Sequence, residues 1–214
     1  MTLRTRVKEM LPYWLTCAIA RAINRPFLED IHRSERIVEY AWVLSQVRGP
    51  RIMDFGWAGS YFAEMLCQFG TVLGVDPRET PTITHPNFQA VELLSEVADG
   101  WSDTIVCVSV LEHLPRWDAQ RYGLELVRKL APGGQLLITV PYGDEGPFEG
   151  YQPFSGLEIA RWPGFGGQTI FTRLPTGGWS AAWSEDPGPN LTHCVRRVAC
   201  VRLHRPTVTP DLLG

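Results

Sequence analysis

Cysteine is scarce in this chain of 214 residues, and where it falls excludes more than its number does. The five are Cys17, Cys67, Cys107, Cys194 and Cys200, an odd set with no C-x-x-C pair. That argues against a disulfide framework or a zinc site and for a reducing, cytoplasmic setting. Cys67 and Cys107 fall within apolar runs, where a thiol behaves as a small hydrophobe. Lysine is scarcer still: Lys8 and Lys129 stand against a background of arginine, a bias to which no mechanism attaches. An excess of one charge is missing too, since 20 basic and 23 acidic residues leave a formal net charge of −3. Such a balance exerts no general pull on phosphates, so nucleic acid is not an expected partner. Clustered acidic or histidine ligands are not visible either, and no metal is expected. A long hydrophobic run is also absent. Met10–Ala20 is apolar but shorter than the about 20 residues that span a bilayer. Arg4, Arg6 and Lys8 precede it as in a secretion signal, yet Glu9, Pro12 and Arg21 break that pattern. The expectation is an amphipathic helix that packs on the domain or covers its active site, with no integral membrane segment.

What is present is a globular balance, with 44% hydrophobic and 20% charged residues, enough for one domain with a real core. Residues 1–48 read as an N-terminal helical segment. Ile37, Tyr40, Ala41, Leu44 and Val47 form one stripe there, and Gly49-Pro50 ends it. Residues 49–214 form the main domain. From 51 to 141 short apolar runs alternate with amphipathic stretches, the pattern of β-α-β units on a mostly parallel sheet. Strands are predicted at Arg51–Phe55, Thr71–Asp76, Phe88–Val91, Thr104–Ser109 and Gln135–Val140. One helix is predicted over Ser60–Phe69, ended by Gly70. Another runs from a cap at Asp118 through Ala119, Tyr122, Leu126, Val127 and Leu130 to Pro132-Gly133-Gly134. Beyond 142 the composition turns toward glycine, proline and tryptophan. Ser155 and Glu158 have capping-box spacing, and Gln168–Arg173 and Val195–Leu203 read as late strands, an antiparallel pair at the sheet edge.

Residues that carry chemistry sit at the strand ends. The segment Arg51-Ile-Met-Asp-Phe-Gly-Trp-Ala-Gly-Ser60 is a strand running into a small-residue turn, where a ligand can approach the backbone. Asp76 ends the second strand, where a carboxylate can accept hydrogen bonds from two ribose hydroxyls. NAD and S-adenosylmethionine both carry such a ribose, and a tight turn with no ligand remains open at this point. Two later segments, Asp103–Pro115 and Leu130–Pro141, are separated by an amphipathic helix. With the turn and Asp76 they resemble the class I S-adenosylmethionine-dependent methyltransferases, over roughly residues 51–141. Val75-Asp-Pro-Arg78 followed by Thr84-His-Pro-Asn-Phe88 is similar to one bacterial subgroup of that family.

The resemblance implies a Rossmann-like α/β fold: a seven-stranded, mostly parallel sheet with helices on both faces and the last strand antiparallel. It implies S-adenosylmethionine as cofactor and S-adenosylhomocysteine as product, lying across the carboxyl ends of the first, second and fourth strands. Asp54, Gly56, Trp57 and Ala58 would surround the methionine part, and Asp76, with Pro77 beside it, would hold the ribose. Ser109, Val110 and Leu111 would line the pocket near the sulfonium and adenosine, and Glu92 would stand in for the usual adenine-contacting acid. The chain departs from the usual Gly-x-Gly-x-Gly, having Gly56, Ala58 and Ser60, and Trp57 would either wall the pocket or crowd it. A hydroxyl acceptor needs a base, and His113 follows the fourth strand where the methyl group should point. Glu112 is read as structural, and His32 with Glu35 as a solvated face. Residues 142–190 should carry acceptor specificity. Tyr142, Asp144, Tyr151 and Trp179, with Trp162 and Trp183, either wall a pocket for a sugar or flat ring or seal the sheet edge. Arg196, Arg197, Arg202 and Arg205 read as a solvated face, with a phosphate patch as the other reading. The expected function is methyl transfer to oxygen or nitrogen of a small molecule, a sugar or secondary metabolite. The alternatives are a protein that binds the cofactor or a nucleoside-like ligand without transfer, and a partner-regulating protein with a vestigial pocket.

Overall fold

Continuous apolar runs such as Ile52-Met53 and Ile105-Val106-Cys107 are expected of strands covered on both faces, and that is where they lie. The computed structural model describes residues 35–58, 60–78, 83–143, 152–174, 178–181 and 196–205. Met10–Ala20, His32, Asp144, Tyr151, Trp183, Cys17 and Cys194 lie outside the described residues. The strands are β1 (Arg51–Phe55), β2 (Thr71–Val75), β3 (Phe88–Val91), β4 (Ser102–Val108), β5 (Leu130–Pro141), β6 (Phe165–Arg173), β7 (Trp179–Ser180) and β8 (Arg197–His204). They form one sheet in the order β3-β2-β1-β4-β5-β8-β6-β7. The first five in that order are parallel, and β8 runs antiparallel between β5 and β6.

This is the predicted fold with one strand more than the expected seven. The addition is β7, a two-residue strand hydrogen-bonded antiparallel to β6. An antiparallel partner needs only a short connection, so an edge strand is easily added. The two late strands do pair antiparallel, but β8 is interior, because it also pairs with β5 from Gln135↔His204 to Pro141↔Val198. Between β1 and β4 the strand order reverses, which opens a crevice outside their carboxyl ends.

Helices cover both faces. On one, Val43 of α1 (Arg36–Gln46) and Phe62, Ala63 and Leu66 of α2 (Tyr61–Leu66) pack on Ile52, Val72, Val106 and Leu137. On the other, Ala119 and Leu126 of α3 (Arg116–Lys129) and Ile159 of α4 (Gly156–Ala160) pack on Met53, Ile105, Cys107 and Ile138. The predicted capping box opens α4: the Glu158 N–H donates to Ser155 Oγ, and Ser155 N–H to Glu158 Oε2. Three boundaries differ from prediction. On α1, Tyr40, Leu44 and Val47 of the predicted stripe pack on the core, but its most buried residues are Glu39 and Val43 and Ala41 is exposed, because an arginine and a serine hydrogen-bond a glutamate that hydropathy would place outside. Asp118 does not cap α3, which starts after Pro115; it pairs instead with Arg121 in the first turn. Pro132-Gly133-Gly134 lies within β5, in an irregular stretch where the register with β4 passes from Ser102↔Leu130 to Thr104↔Gln135.

Candidate active site

The turn after β1 is built from left-handed backbone. Gly56 has φ +76°, and its N–H donates to the carbonyl of Val75 at 2.8 Å, tying the turn to β2. A Cβ at Gly56 would stand 2.4 Å from Cγ2 of Val110, so a side chain is excluded on two grounds. Ala58 also has positive φ, +48°, and its N–H donates to Asp76 Oδ2 at 3.3 Å. Asp76 Oδ1 accepts from the N–H of Arg78 at 2.9 Å, so two backbone donors orient this carboxylate at the end of β2. Asp54, at the end of β1, is 2% exposed, and its Oδ2 has no hydrogen-bond partner. Burial, and then the charge of Asp76, push its carboxyl up to about 7. The Trp57 ring neither walls nor crowds the turn: it is 1% exposed and packed against Phe88 and Gly74 in the α2-side core. Its backbone alone remains part of the turn.

At the end of β4, Ser109 adopts φ +50° and donates its N–H to the carbonyl of Thr139 at 3.0 Å. Its hydroxyl donates to Glu39 Oε1 at 2.7 Å, and Glu39 Oε2 accepts from Arg36 Nη1 at 2.9 Å. Glu39 is fully buried. On the same helix Tyr40 stacks on Phe62 with ring centroids 4.1 Å apart and hydrogen-bonds the Ser60 side chain. Sequence reasoning put Tyr40 in an apolar stripe and missed Arg36 and Glu39 altogether. Their i, i+3, i+4 spacing was the available signal. Val110 is half-buried against Gly56, whereas Leu111 is wholly buried in the α3-side core. Glu112 is 1% exposed, has an unpartnered Oε2, and is pushed up to about 8 by burial. His113 sits below its ordinary pKa, through partial burial and then the charges of Arg36 and Arg78, so its imidazole is neutral at pH 7. Pro77 and Glu92 are exposed, Glu92 just beyond β3 and two strands from β1.

The predicted acceptor residues are divided by the sheet. Tyr142 donates its N–H to the carbonyl of Arg197 and packs on the α3-side cluster, as do Phe154 and Trp162. Trp179 stands on β7 opposite Arg173. Two of the late arginines are stitched in rather than solvated: Arg202 donates to Gln46 Oε1 at 3.2 Å, and Arg205 to the carbonyl of Arg128 at 3.0 Å. Among the described residues no group of three His, Cys, Asp or Glu could hold a metal ion, and no helix is long and apolar enough to cross a membrane.

A parallel sheet that reverses between β1 and β4, with a left-handed turn facing a carboxylate on β2, is a Rossmann-like α/β arrangement. Residues 53–138, less than half of the chain, match a family model described as a methyltransferase domain. It is 27% identical to the ubiquinone biosynthesis O-methyltransferase of Pseudomonas fluorescens (strain SBW25) over 113 residues, 46% of this chain and 48% of that protein. The chain thus matches about half the length of such curated relatives. In fold it is similar to the Burkholderia thailandensis 1,6-didemethyltoxoflavin-N1-methyltransferase, solved with 1,6-didemethyltoxoflavin and S-adenosylhomocysteine (TM-score 0.59, 17% identity, 92% of each chain). It is also similar to the N-methyltransferase NodS of Bradyrhizobium japonicum WM9 bound to S-adenosylhomocysteine (TM-score 0.54, 17% identity, 85% of this chain and 88% of that one).

Proposed function

We propose that the protein transfers the methyl group of S-adenosylmethionine to an oxygen or nitrogen of a small-molecule acceptor. The observation that carries this reading is the Gly56–Ala58 turn, with Asp76 held beside it by two backbone N–H groups. The chain's residues fit the cofactor. The missing side chain at Gly56 lets a ligand approach the backbone, and the buried, unpartnered Asp54 Oδ2 is an acceptor in search of a donor such as an ammonium group. The oriented carboxylate of Asp76 suits a pair of ribose hydroxyls, with Pro77 beside it and Glu92 nearer the adenine. Val110 and the Ser109 backbone would face the reacting centre.

When bound, the cofactor supplies an electrophilic methyl group on a sulfonium. The chain then has to align the acceptor and exclude water. Its neutral His113 is suited to take the proton from a hydroxyl acceptor. Residues 142–190, including Tyr142, Asp144, Tyr151 and Trp179, would bear on the acceptor. By name, the ubiquinone biosynthesis O-methyltransferase and the 1,6-didemethyltoxoflavin-N1-methyltransferase serve small molecules, which supports the class of acceptor and leaves oxygen and nitrogen both in play.

The test has two stages. S-adenosylhomocysteine should raise the Tm of the purified protein by mass action, and Asp76→Ala should weaken its binding by about 1–3 kcal/mol in calorimetry. Radiolabelled methyl groups should then appear in a low-molecular-weight product when the protein is incubated with cell extract, and His113→Gln should slow that transfer without changing cofactor affinity. Binding with no labelled product from any extract would overturn methyl transfer, and no binding at all would overturn the site.

A further inference from the structure

A second charged group at the carboxyl end of the sheet takes no part in that reading. Arg173 ends β6, and the residue opposite it on β7 is Trp179. Its main-chain N–H donates to the carbonyl of Arg196 at 2.9 Å. Arg173 is only 5% exposed, yet its Nη1 is buried with no hydrogen-bond partner, and no ion pair among the described residues involves it. Register places it. Phe171, two residues earlier, is opposite Val198 on β8, and alternate β8 residues on that face approach α1, as the Arg202–Gln46 hydrogen bond records. Arg173 therefore shares the sheet face on which α1 brings Glu39 to Ser109. It also lies at the same edge as the β4 end, because β6 and β4 run in the same direction.

A buried guanidinium nitrogen without a hydrogen-bond partner, on a side chain that no acid among the described residues pairs, is costly, and folding alone gives no reason to keep one. The planar fork is suited to a carboxylate or phosphate, and the indole of Trp179 on the neighbouring strand is suited to a flat apolar body. We propose that Arg173 is an anion-docking residue for the acceptor, which carries a carboxylate or phosphate group. β5 and β8 separate β4 from β6, so three strand spacings put that group on the order of 14 Å from the methyl-transfer end of β4. The acceptor is then an elongated molecule, anionic at the end remote from its methylated atom. The inference deepens the methyltransferase reading and rests on it, but the anion site can be tested separately.

The probes are benzoate, phenyl phosphate and, as the neutral control, benzyl alcohol, titrated into the full chain without cofactor and read by Tm and tryptophan fluorescence. One of the two anions should bind saturably and the alcohol should not; which anion binds tells carboxylate from phosphate. Arg173→Met should lose anion affinity by about tenfold or more, and Arg173→Lys should keep part of it. In anion-free buffer Arg173→Met should melt no lower than the parent, because it removes an uncompensated charge. A lower Tm, a failure to fold, an unchanged anion affinity, or indifference of the parent protein to both anions would overturn the proposal. If the anions bind and S-adenosylhomocysteine does not, the arginine site stands and the methyltransferase reading falls.

Discussion

Asp54 and Glu112 are carboxyl groups whose protonated form the fold favours. Burial raises them to about 7 and about 8, against roughly 4 in an unfolded chain. The folded protein therefore binds their protons more tightly than the unfolded chain does. The stability this adds is present at acid pH and is lost as pH climbs from about 4 through the folded values. Between pH 5 and 8 the Tm should fall, and Asp54→Asn together with Glu112→Gln should flatten the profile; a Tm that rises over this range contradicts the assignment. The backbone makes a second pair of predictions. Ala58 has a left-handed conformation that glycine adopts without strain, so Ala58→Gly should stabilise by about 1 kcal/mol or less in urea unfolding. Gly56→Ala adds a Cβ at 2.4 Å from Val110 on top of a forbidden φ, and should cost about 2 kcal/mol or more. Equal effects at the two positions would mean that the turn is not held as described. Gly56 was legible in the sequence because only glycine serves there. That the Trp57 ring turns into the core was not, because the contact of its ring with Gly74 and Phe88 joins residues 17 and 31 positions apart in the chain (74 minus 57, 88 minus 57).

At the level of elements, α1 is the part of the molecule that pattern reading described least well. Hydrophobic periodicity found the helix and placed Tyr40, Leu44 and Val47 on its packed side, yet missed Glu39, because a buried glutamate counts as polar in any hydropathy pattern. What makes Glu39 an inward residue is Arg36 on one oxygen and the Ser109 hydroxyl on the other. Removing it leaves the buried Ser109 hydroxyl without its acceptor and takes one carboxylate from Arg36, so Glu39→Ala should destabilise by about 1–3 kcal/mol. Hydrogen exchange should quicken across Arg36–Gln46 before it does in β4. Unaltered protection of the helix would show that Val43 and Tyr40 hold it unaided. By contrast, β1 falls where its apolar run placed it, since a strand covered on both faces writes itself into composition, and the edge strand β3 keeps its predicted bounds with only Phe88 buried. The stop assigned to Pro132-Gly133-Gly134 failed for a different reason: the break it makes is an irregularity inside β5, tolerated because β4 re-enters register at Gln135.

Seen whole, the molecule is a parallel half joined to an antiparallel half through β8. Cys107 and Cys200 lie in the interior strands, and Cys67 follows α2; all three are free and buried. Burial raises each thiol, Cys67 to about 11 and the other two well above the usual range. In the native protein all three should resist iodoacetamide over hours and label promptly in denaturant, as read by peptide mass spectrometry. Rapid native labelling of Cys200 would show that β8 is not enclosed between β5 and β6. The charged surface should matter much less. Arg51–Asp103 is a solvent-exposed pair, and its loss should leave stability nearly unchanged.

The sequence by itself determined the order of the five parallel strands and the helices between them, the small-residue turn at Gly56, and the carboxylate at the end of the second strand. Those features are local: each depends on a few neighbouring residues and on a period of 2 or 3.6. Only the tertiary structure decided which polar groups are buried. Glu39 meets Ser109 across 70 residues, and Arg173 carries a buried Nη1 with no hydrogen-bond partner. Desolvation depends on what surrounds a side chain in three dimensions, and no run of adjacent letters records it.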